Sequence, residues 1–190
     1  HVLLMRDLRR PIVATSGNQA EEPICFDEHE VVARLGGIAD MFLVHNRPIV
    51  RHVDDSVVRV ARSRPLMLRR ARGYAPWPID VDTASPVVLG VGAHLKNTVA
   101  ITAGHHIVVS QHIGDLATAP ALEAFRAAIG SLSRLYDVEH EAVAVDLHPD
   151  FRATRHGTAR AEAAGVPLVR IQHHHAHLAA CLAENGWPLE

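Results

Sequence analysis

Two histidines four residues apart are the strongest chemical signal in the sequence. His173 and His177 stand at the start of the run 172–184, directly after the apolar stretch 166–171. In a helix, residues i and i+4 share one face with Cβ atoms about 5 to 6 Å apart, so two neutral imidazoles can bind one divalent metal ion, zinc or iron. The alternative is a polar helix start that binds nothing, and the spacing alone leaves both interpretations open.

Composition limits the class of protein. The chain has 190 residues and is 48% hydrophobic, which is enough for one or two buried cores and argues against disorder. No apolar run reaches the roughly 18 residues of a membrane span, and the N-terminus has neither a signal-peptide pattern nor a starting Met. We therefore expect a cytoplasmic fragment without a membrane partner. Cys25 and Cys181 have no paired spacing and are expected to be small buried residues.

The basic residues are eighteen arginines and one lysine, Lys96. Where arginine has replaced lysine almost everywhere, the remaining lysine indicates a position that needs a compact ammonium group. Residues 1–79 hold 12 arginines against 9 acidic residues. This excess suits either a polyanion partner or an ordinary solvated surface, and we prefer the second interpretation.

A proline-rich stretch divides the chain. We interpret residues 1–79 as one domain, 80–86 as an extended linker and 87–190 as a second domain. The first domain has an α+β pattern that looks incomplete. It consists of a helix at 28–35 with Asp27 as N-cap and short strands at 11–15, 41–44, 49–53, 56–61 and 66–70.

The second domain begins with three predicted strands and continues as alternating helices and strands. The strands are placed at 87–91, 98–102 and 107–110, with a hairpin turn at Gly104. Helices at 119–136 and 151–164 then alternate with strands at 142–147 and 167–171, before the histidine helix. This α/β order is that of the first half of a ribonuclease-H-like or actin-like ATPase domain.

Motifs of the first domain carry a family resemblance. Thr15-Ser16-Gly17-Asn18, Phe42 to Ile49, Arg51 to Arg59 and Leu68 to Pro76 resemble the YrdC-like domain of hydrogenase maturation carbamoyltransferases, the HypF type. The resemblance implies a partial YrdC-like twisted sheet in which Ser16 and Asn18 hold ATP and carbamoyladenylate. It also implies that Ser56 lines the nucleotide pocket and that Arg69 or Arg70 lies near the phosphates. The Lys-x-Arg motif of that family is absent from this chain.

Three motifs of the second domain extend the resemblance. Gly90 to Thr98 resembles a Gly-Ala-Glu-Leu-Lys-Asn-Thr stretch of the family, with His94 in place of Glu, and its glycines and Lys96 suit an anion. Ser110 to Leu116 and Asp146 to Asp150 are similar to two further signatures, each at the end of a strand. By the resemblance, the other metal ligands are carboxylates beyond the histidine helix.

A magnesium ion is a separate expectation. Asp54 and Asp55 supply two adjacent carboxylates that could bind Mg²⁺, but two such residues between strands also suit a solvated turn. ATP, Mg²⁺ and one divalent zinc or iron ion are therefore the expected cofactors.

The resemblance implies a carbamoyltransferase. Carbamoyl phosphate and ATP would give carbamoyladenylate, and the carbamoyl group would pass to the C-terminal cysteine of a HypE-type maturation protein. The fragment is expected to be inactive on its own. The alternatives are an RNA-binding or tRNA threonylcarbamoyl-modifying YrdC-like module, for which nucleic acid would be the partner, and an inert truncated product.

Overall fold

The computed structural model describes residues 1–20 and 22–188. The elements described there are, in chain order, α1 (Val2–Leu8), α2 (Glu28–Leu35), β1 (Val57–Ala61), β2 (Arg64–Arg69), β3 (Pro78–Ser85), β4 (Val88–Gly92), β5 (Thr98–Val109), α3 (Ala119–Tyr136), β6 (Ala142–Asp146), α4 (Arg152–Ala164), β7 (Leu168–Ile171) and α5 (His173–Glu184). Their mixture of α/β and α+β structure, with two sheets, confirms the predicted fold class.

A five-stranded sheet in the order β3-β5-β4-β6-β7 carries the histidine helix. β4 is antiparallel to β5 but parallel to β6, and β6 is parallel to β7. Parallel neighbours end at the same edge of a sheet, which is where ligands bind in open α/β folds. Gly92 ends β4 and Asp146 ends β6, while a single residue, Gln172, separates the end of β7 from the start of α5. The topology therefore brings these three places together.

Helices α3 and α4 cover one face of this sheet. The two helices are neighbours, because the rings of Phe125 in α3 and His156 in α4 meet edge-on at 5.2 Å. Strand residues in alternating positions point into the same core. The fully buried side chains of this core include Leu89, Val91, Val99, Ile101, Val108, Leu116, Phe125, Ile129 and Val143. Burial of this apolar surface is what holds the sheet edge in place.

The first part of the chain has less regular structure than its sequence predicts. Helix α2 begins and ends as predicted, and the Asp27 carboxylate accepts hydrogen bonds from the amides of His29 and Glu30 at 2.9 and 3.0 Å. The strands predicted at 56–61 and 66–70 are present as the antiparallel pair β1 and β2.

The strands predicted at 11–15, 41–44 and 49–53 are wrong, since no ladder forms along these residues. Alternating apolar residues are necessary for a strand, but a strand also needs a neighbour to supply its hydrogen bonds.

Of two predictions near the domain boundary, one is wrong and one is confirmed. The predicted linker, residues 80–86, lies largely within β3, which pairs with β5 at the edge of the sheet. The predicted hairpin at Gly104 is confirmed. β5 spans Thr98 to Val109 but folds back at Gly104, a left-handed residue (φ 61°), since the amide of Ser110 donates to the carbonyl of Val99 at 2.7 Å. A straight strand would hold these two residues more than about 30 Å apart. β3 pairs with the returning arm of this hairpin, at residues 104–108. The later helices and strands agree with the prediction to within one or two residues.

The two cysteines differ in their exposure. Cys181 is exposed and Cys25 is half-buried, so the expectation that both are buried is wrong for Cys181.

Among the residues that the structure covers, no helix has the length and apolar character needed to cross a membrane.

Gly157 allows α4 to lie close to the sheet. A Cβ at this position would stand 2.5 Å from Cγ1 of Val145 and 2.6 Å from Cγ2 of Val91. Replacing Gly157 with Ala should therefore lower the free energy of unfolding by about 1 to 3 kcal/mol through overpacking. Urea denaturation followed by circular dichroism measures this change.

Gly130→Ala in α3 is the matched control. Its added Cβ would meet only the flexible Arg134 side chain, at 3.3 Å. Alanine is the better helix former, so stability should stay level or rise by up to about 1 kcal/mol. If both variants unfolded at the same urea concentration, the close packing of α4 would be refuted.

Candidate functional site

The histidine pair on α5 has the arrangement that the sequence predicts. Nε2 of His173 and Nε2 of His177 lie 3.0 Å apart, with the ring planes at 89°. Two imidazole nitrogens bound to one ion by bonds of about 2 Å stand roughly 3 Å apart, so this pair fits a shared metal ion. Both side chains are exposed, as are their neighbours His174 and His175.

The pair is incomplete as a metal site. Across residues 1–20 and 22–188, the structure gathers no group of three or more His, Cys, Asp or Glu side chains around a common point. Two imidazoles bind a divalent ion weakly and leave its other positions open. The predicted metal therefore depends on further ligands, as the family resemblance implied.

A buried carboxylate contacts the far side of His173. Oδ1 of Asp146 lies 2.9 Å from Nδ1 of His173, while Nε2 of the same ring faces His177. The Asp146 side chain is only 7% exposed. It can sit there because Gly92 lacks a side chain, since a Cβ on Gly92 would stand 2.9 Å from Oδ2 of Asp146.

Aromatic rings form a wall beside the histidine pair. The Phe151 ring stacks on His148 with centroids 4.2 Å apart and on His94 with centroids 5.6 Å apart, and its edge faces His173. Nδ1 of His94 is buried without a hydrogen-bond partner. His94, where the sequence differs from the Gly-Ala-Glu-Leu-Lys-Asn-Thr stretch that it resembles, therefore stacks on the same ring that faces His173.

A first cavity of about 330 Å³ collects predicted nucleotide-binding residues. Ser16, Asn18 and Arg69 line it together with Asp54 and Asp55, the predicted magnesium ligands. Gly114 and Asp115 of the second half close its wall. The first cavity thus lies where the two halves of the chain meet.

The Ser16 to Asn18 loop is held by its own hydrogen bonds. Nδ2 of Asn18 donates to the carbonyls of Gln19 at 2.8 Å and Glu22 at 3.1 Å, and the amide of Cys25 donates to the carbonyl of Gly17 at 2.9 Å. Ser16 lines the cavity at the start of this loop. The loop therefore has a fixed shape, and its predicted contact with ATP stays a prediction.

Ser56 does not line the first cavity, nor does it line a second cavity, which is described next. Its hydroxyl donates to the carbonyl of Arg72 and accepts from the amide of Ala71, both at 2.9 Å. These bonds tie the start of β1 to the residues after β2. The hydroxyl has a structural task, and the predicted nucleotide contact of Ser56 stays a prediction.

A second cavity of about 500 Å³ connects the first half to the histidine helix. Arg69 lines this cavity as well as the first, and Lys96, His112 and His177 line it from the second half. Arg70 also borders it and approaches Glu184 of α5 at 4.0 Å. The two cavities are therefore neighbours that share the Arg69 side chain.

Lys96 is presented by a firmly held loop. Its backbone is left-handed (φ 50°), and its amide donates to Oδ1 of Asp115 at 2.8 Å. The next residue, Asn97, is fully buried, and its backbone exchanges hydrogen bonds with Gly114 and Ile113. These bonds fix the loop after β4 to the loop after β5, so Lys96 lines the second cavity from a firmly held backbone.

His112 adds a neutral group between cations. Burial lowers the pKa of His112, Arg69 and Lys96 lower it further, and Asp54 and Asp115 oppose this effect. The imidazole is therefore uncharged near neutral pH. Its backbone amide donates to the carbonyl of Arg70 at 2.9 Å, which joins the two halves of the chain.

Sequence reasoning missed Asp146, His112 and Asp115 as individual site residues. Asp146 had a detectable signal, because a carboxylate directly after an apolar strand stands at the ligand-binding edge of an α/β sheet. His112 and Asp115 follow β5 in the same way. Their importance comes from contact with Arg70 and Lys96, which are distant in sequence.

Family comparisons match both halves of the chain. A model described as the HypF Kae1-like domain matches residues 83–184. The model of Sua5, YciO and YrdC proteins, described as telomere recombination, matches residues 1–71. The chain therefore consists of a YrdC-like part followed by a Kae1-like part. The chain belongs to the HypF carbamoyltransferase family.

Individual relatives agree along nearly the whole chain. It is 49% identical over 187 residues to carbamoyltransferase HypF of Synechocystis sp., which covers 98% of the chain but 24% of that relative. The Rhodobacter capsulatus carbamoyltransferase HypF is 45% identical over 192 residues, with 99% and 26% covered. The chain thus spans about a quarter of the length of these relatives.

Solved structures show the same arrangement. A crystal structure of full-length HypF in a phosphate- and nucleotide-bound form superposes with a TM-score of 0.88 at 42% identity, covering 97% of this chain and 29% of that one. HypF of T. kodakarensis gives 0.85 at 33% identity, covering 91% and 23%.

The metal prediction requires the missing ligands. We define the hybrid as the Synechocystis sp. relative in which this chain replaces the matching residues. The hybrid should hold about one divalent ion, whereas the 190-residue chain should hold metal weakly because it supplies two ligands. Elemental analysis of the hybrid and of its His173→Ala, His177→Ala variant measures the ion.

His174→Ala, His175→Ala is the matched control on the same helix. These positions point about 100° and 200° away from His173, so the control should keep its metal. Unchanged metal content in the His173→Ala, His177→Ala variant would leave this pair as helix surface only.

Proposed function

We propose that the chain carries parts of two successive sites of a carbamoyltransferase. The first cavity takes part in forming carbamoyladenylate from ATP and carbamoyl phosphate. The second cavity takes part in passing the carbamoyl group to the thiol of a HypE-type partner. Family membership supports the transferase class, and the sharing of Arg69 between the two cavities is the observation that carries the two-site proposal.

The first step forms a mixed anhydride. Hydrolysis of carbamoyl phosphate by one water molecule gives carbamate and inorganic phosphate. An oxygen of the carbamate then attacks the α-phosphorus of ATP, the new oxygen–phosphorus bond forms, the bond from the α-phosphorus to the bridging oxygen breaks, and pyrophosphate leaves. Ser16 and Asn18 offer hydrogen-bonding groups for the nucleotide, and Arg69 offers a guanidinium whose planar fork suits a phosphate. Asp54 and Asp55 line the same cavity and would hold a Mg²⁺ ion, which would neutralise phosphate charge. A related crystal structure holds phosphate and nucleotide, which supports this assignment.

The second step transfers the carbamoyl group. The partner's thiolate attacks the carbamoyl carbon, the bond from that carbon to the adenylate oxygen breaks, and AMP leaves as the thiol proton passes to solvent. Lys96 and Arg69 stabilise the charge of the departing adenylate. His173 and His177 would hold the divalent ion, which supplies a Lewis acid for a substrate oxygen when bound.

Adjacent cavities suit an intermediate that water destroys. A carbamoyl–phosphate anhydride hydrolyses readily, so a short path within protein walls protects it better than release into solvent. Arg69 faces both spaces, so one cation stays near the phosphate throughout the passage. His112 is neutral beside it and adds a hydrogen-bonding ring without a further charge.

The nucleotide assignment predicts a loss of ATP affinity in the hybrid. Replacing both Ser16 and Asn18 with Ala should weaken ATP binding by about 1 to 3 kcal/mol, because each lost hydrogen bond costs about 0.5 to 1.5 kcal/mol. Isothermal titration calorimetry measures the difference.

Thr15→Ala is the control, since the Thr15 hydroxyl donates only to the carbonyl of Ser16, at 3.1 Å. Equal ATP affinities for the double variant and Thr15→Ala would remove Ser16 and Asn18 from the site.

The anion role of Lys96 predicts that arginine cannot replace it. Lys96→Arg in the hybrid should impair carbamoyl transfer about as much as Lys96→Met, because a planar fork on a longer stem does not fit a site formed for a point charge. Mass spectrometry of the partner's C-terminal cysteine measures the transfer.

Arg155→Lys is the matched control, an exchange of cations at an exposed ion pair with Asp150. It should leave transfer unchanged. Normal transfer by Lys96→Arg would contradict the proposed contact.

The two steps are tested separately in the hybrid. Exchange of pyrophosphate into ATP that requires carbamoyl phosphate reports the first step, and carbamoylation of the partner's cysteine reports the second. Substitutions in the first cavity should abolish both, whereas His173→Ala, His177→Ala should abolish only the second. Loss of exchange in the histidine variant would overturn the division of labour between the cavities.

A further inference from the structure

We propose that Asp146 is a positioning residue that fixes the proton of His173 on Nδ1, so that Nε2 is free to bind the metal ion. This inference deepens the proposed metal site on α5 and rests on it. Neither the sequence motifs nor the comparisons assign a role to this carboxylate.

The geometry of the two ring nitrogens is asymmetric. Nδ1 of His173 lies 2.9 Å from Oδ1 of Asp146, and Nε2 lies 3.0 Å from Nε2 of His177. An ionised carboxylate only accepts hydrogen bonds, so the nitrogen that faces it must carry the proton. In neutral imidazole the other nitrogen then has a lone pair, which is what a metal ion requires. The carboxylate itself lies on the side of the ring away from the proposed ion.

Two further contacts hold the carboxylate in its orientation. Asp146 ends β6, where the parallel ladder with β4 and β7 sets its backbone, and its carbonyl accepts a hydrogen bond from the Thr154 hydroxyl at 3.3 Å. Oδ2 lies against Gly92, in space that any side chain there would fill. The glycine at the end of β4 therefore leaves the space that the Asp146 carboxylate occupies.

The same argument makes the two histidines unequal. With the proton of His173 on Nδ1, the 3.0 Å contact between the rings is a hydrogen bond from Nε2–H of His177 to Nε2 of His173. To bind an ion through Nε2, His177 would have to carry its proton on Nδ1 instead, by exchange with solvent. His173 is thus prepared for metal in advance, whereas His177 must change tautomer.

The test uses substitutions that alter the hydrogen bond with little change in volume. Asp146→Asn keeps the shape but offers an amide NH₂ that can donate to Nδ1, which favours the wrong tautomer. Zinc affinity of the hybrid, measured by competition with a chelator, should fall about 10- to 100-fold, the usual effect of losing such a support. Gly92→Ala should weaken zinc binding in the same direction, because its Cβ displaces Oδ2.

Asp150→Asn is the control, because this carboxylate is exposed and pairs with Arg155 rather than with a histidine. It should leave zinc affinity unchanged. Nitrogen NMR of the histidine side chains in the 190-residue chain, without metal, reports the tautomer directly. His173 should carry its proton on Nδ1, and Asp146→Asn should abolish this preference while circular dichroism stays unchanged.

The outcomes separate this inference from the proposed function. Neither the zinc titration nor the NMR measurement uses ATP, carbamoyl phosphate or a partner, so failure of carbamoyl transfer would not affect them. Wild-type zinc affinity in Asp146→Asn, or a His173 proton found on Nε2 in the unsubstituted chain, would overturn the role of Asp146.

Discussion

The parallel pairing of β4, β6 and β7 is the constraint on which the candidate site depends. It places the carboxyl ends of these strands at one edge, and the residues that follow them meet there without any covalent link. Gly92, Asp146 and His173 come from three places in the sequence and are brought within hydrogen-bond or van der Waals distance by this register. A shift of β6 by one residue would turn the Asp146 side chain to the opposite face, because side chains alternate along a strand. The core beneath α3 and α4 therefore maintains the chemistry as well as the fold.

The two cavities depend on contacts between the first and second halves of the chain. The His112 amide bonds to the carbonyl of Arg70, and Nη1 of Arg51 donates to the hydroxyl of Ser131 at 2.7 Å. These contacts make cavities whose walls come from both halves. Cations from both sides, Arg69 and Lys96, face the same space, while the carboxylates of Asp54 and Asp115 balance them at the first cavity. A chain folded as two separate domains would have neither cavity in this form.

Much of the second half was predictable because its signals are local. The helices at 119–136 and 151–164 and the strands between them follow from apolar periodicity and breaker residues, and the His173 and His177 pair follows from helical spacing. The predicted strands at 11–15, 41–44 and 49–53 failed because periodicity reports which residues are apolar, not whether a neighbouring strand exists. β3 was mistaken for a linker, since its one proline and its two aspartates suit an edge strand equally well. The bond between Asp146 and His173 spans 27 residues, and only the topology reveals it.

A neutral His112 explains how the shared wall tolerates two fixed cations. Arg69 and Lys96 are both cationic side chains, and a third positive charge beside them would add repulsion. Burial and these two cations lower the pKa of His112. The ring is therefore neutral near pH 7 and adds no third positive charge. Under the proposed function, an anionic adenylate entering from the first cavity would bring negative charge next to the ring and oppose the effect of the two cations on the pKa of His112.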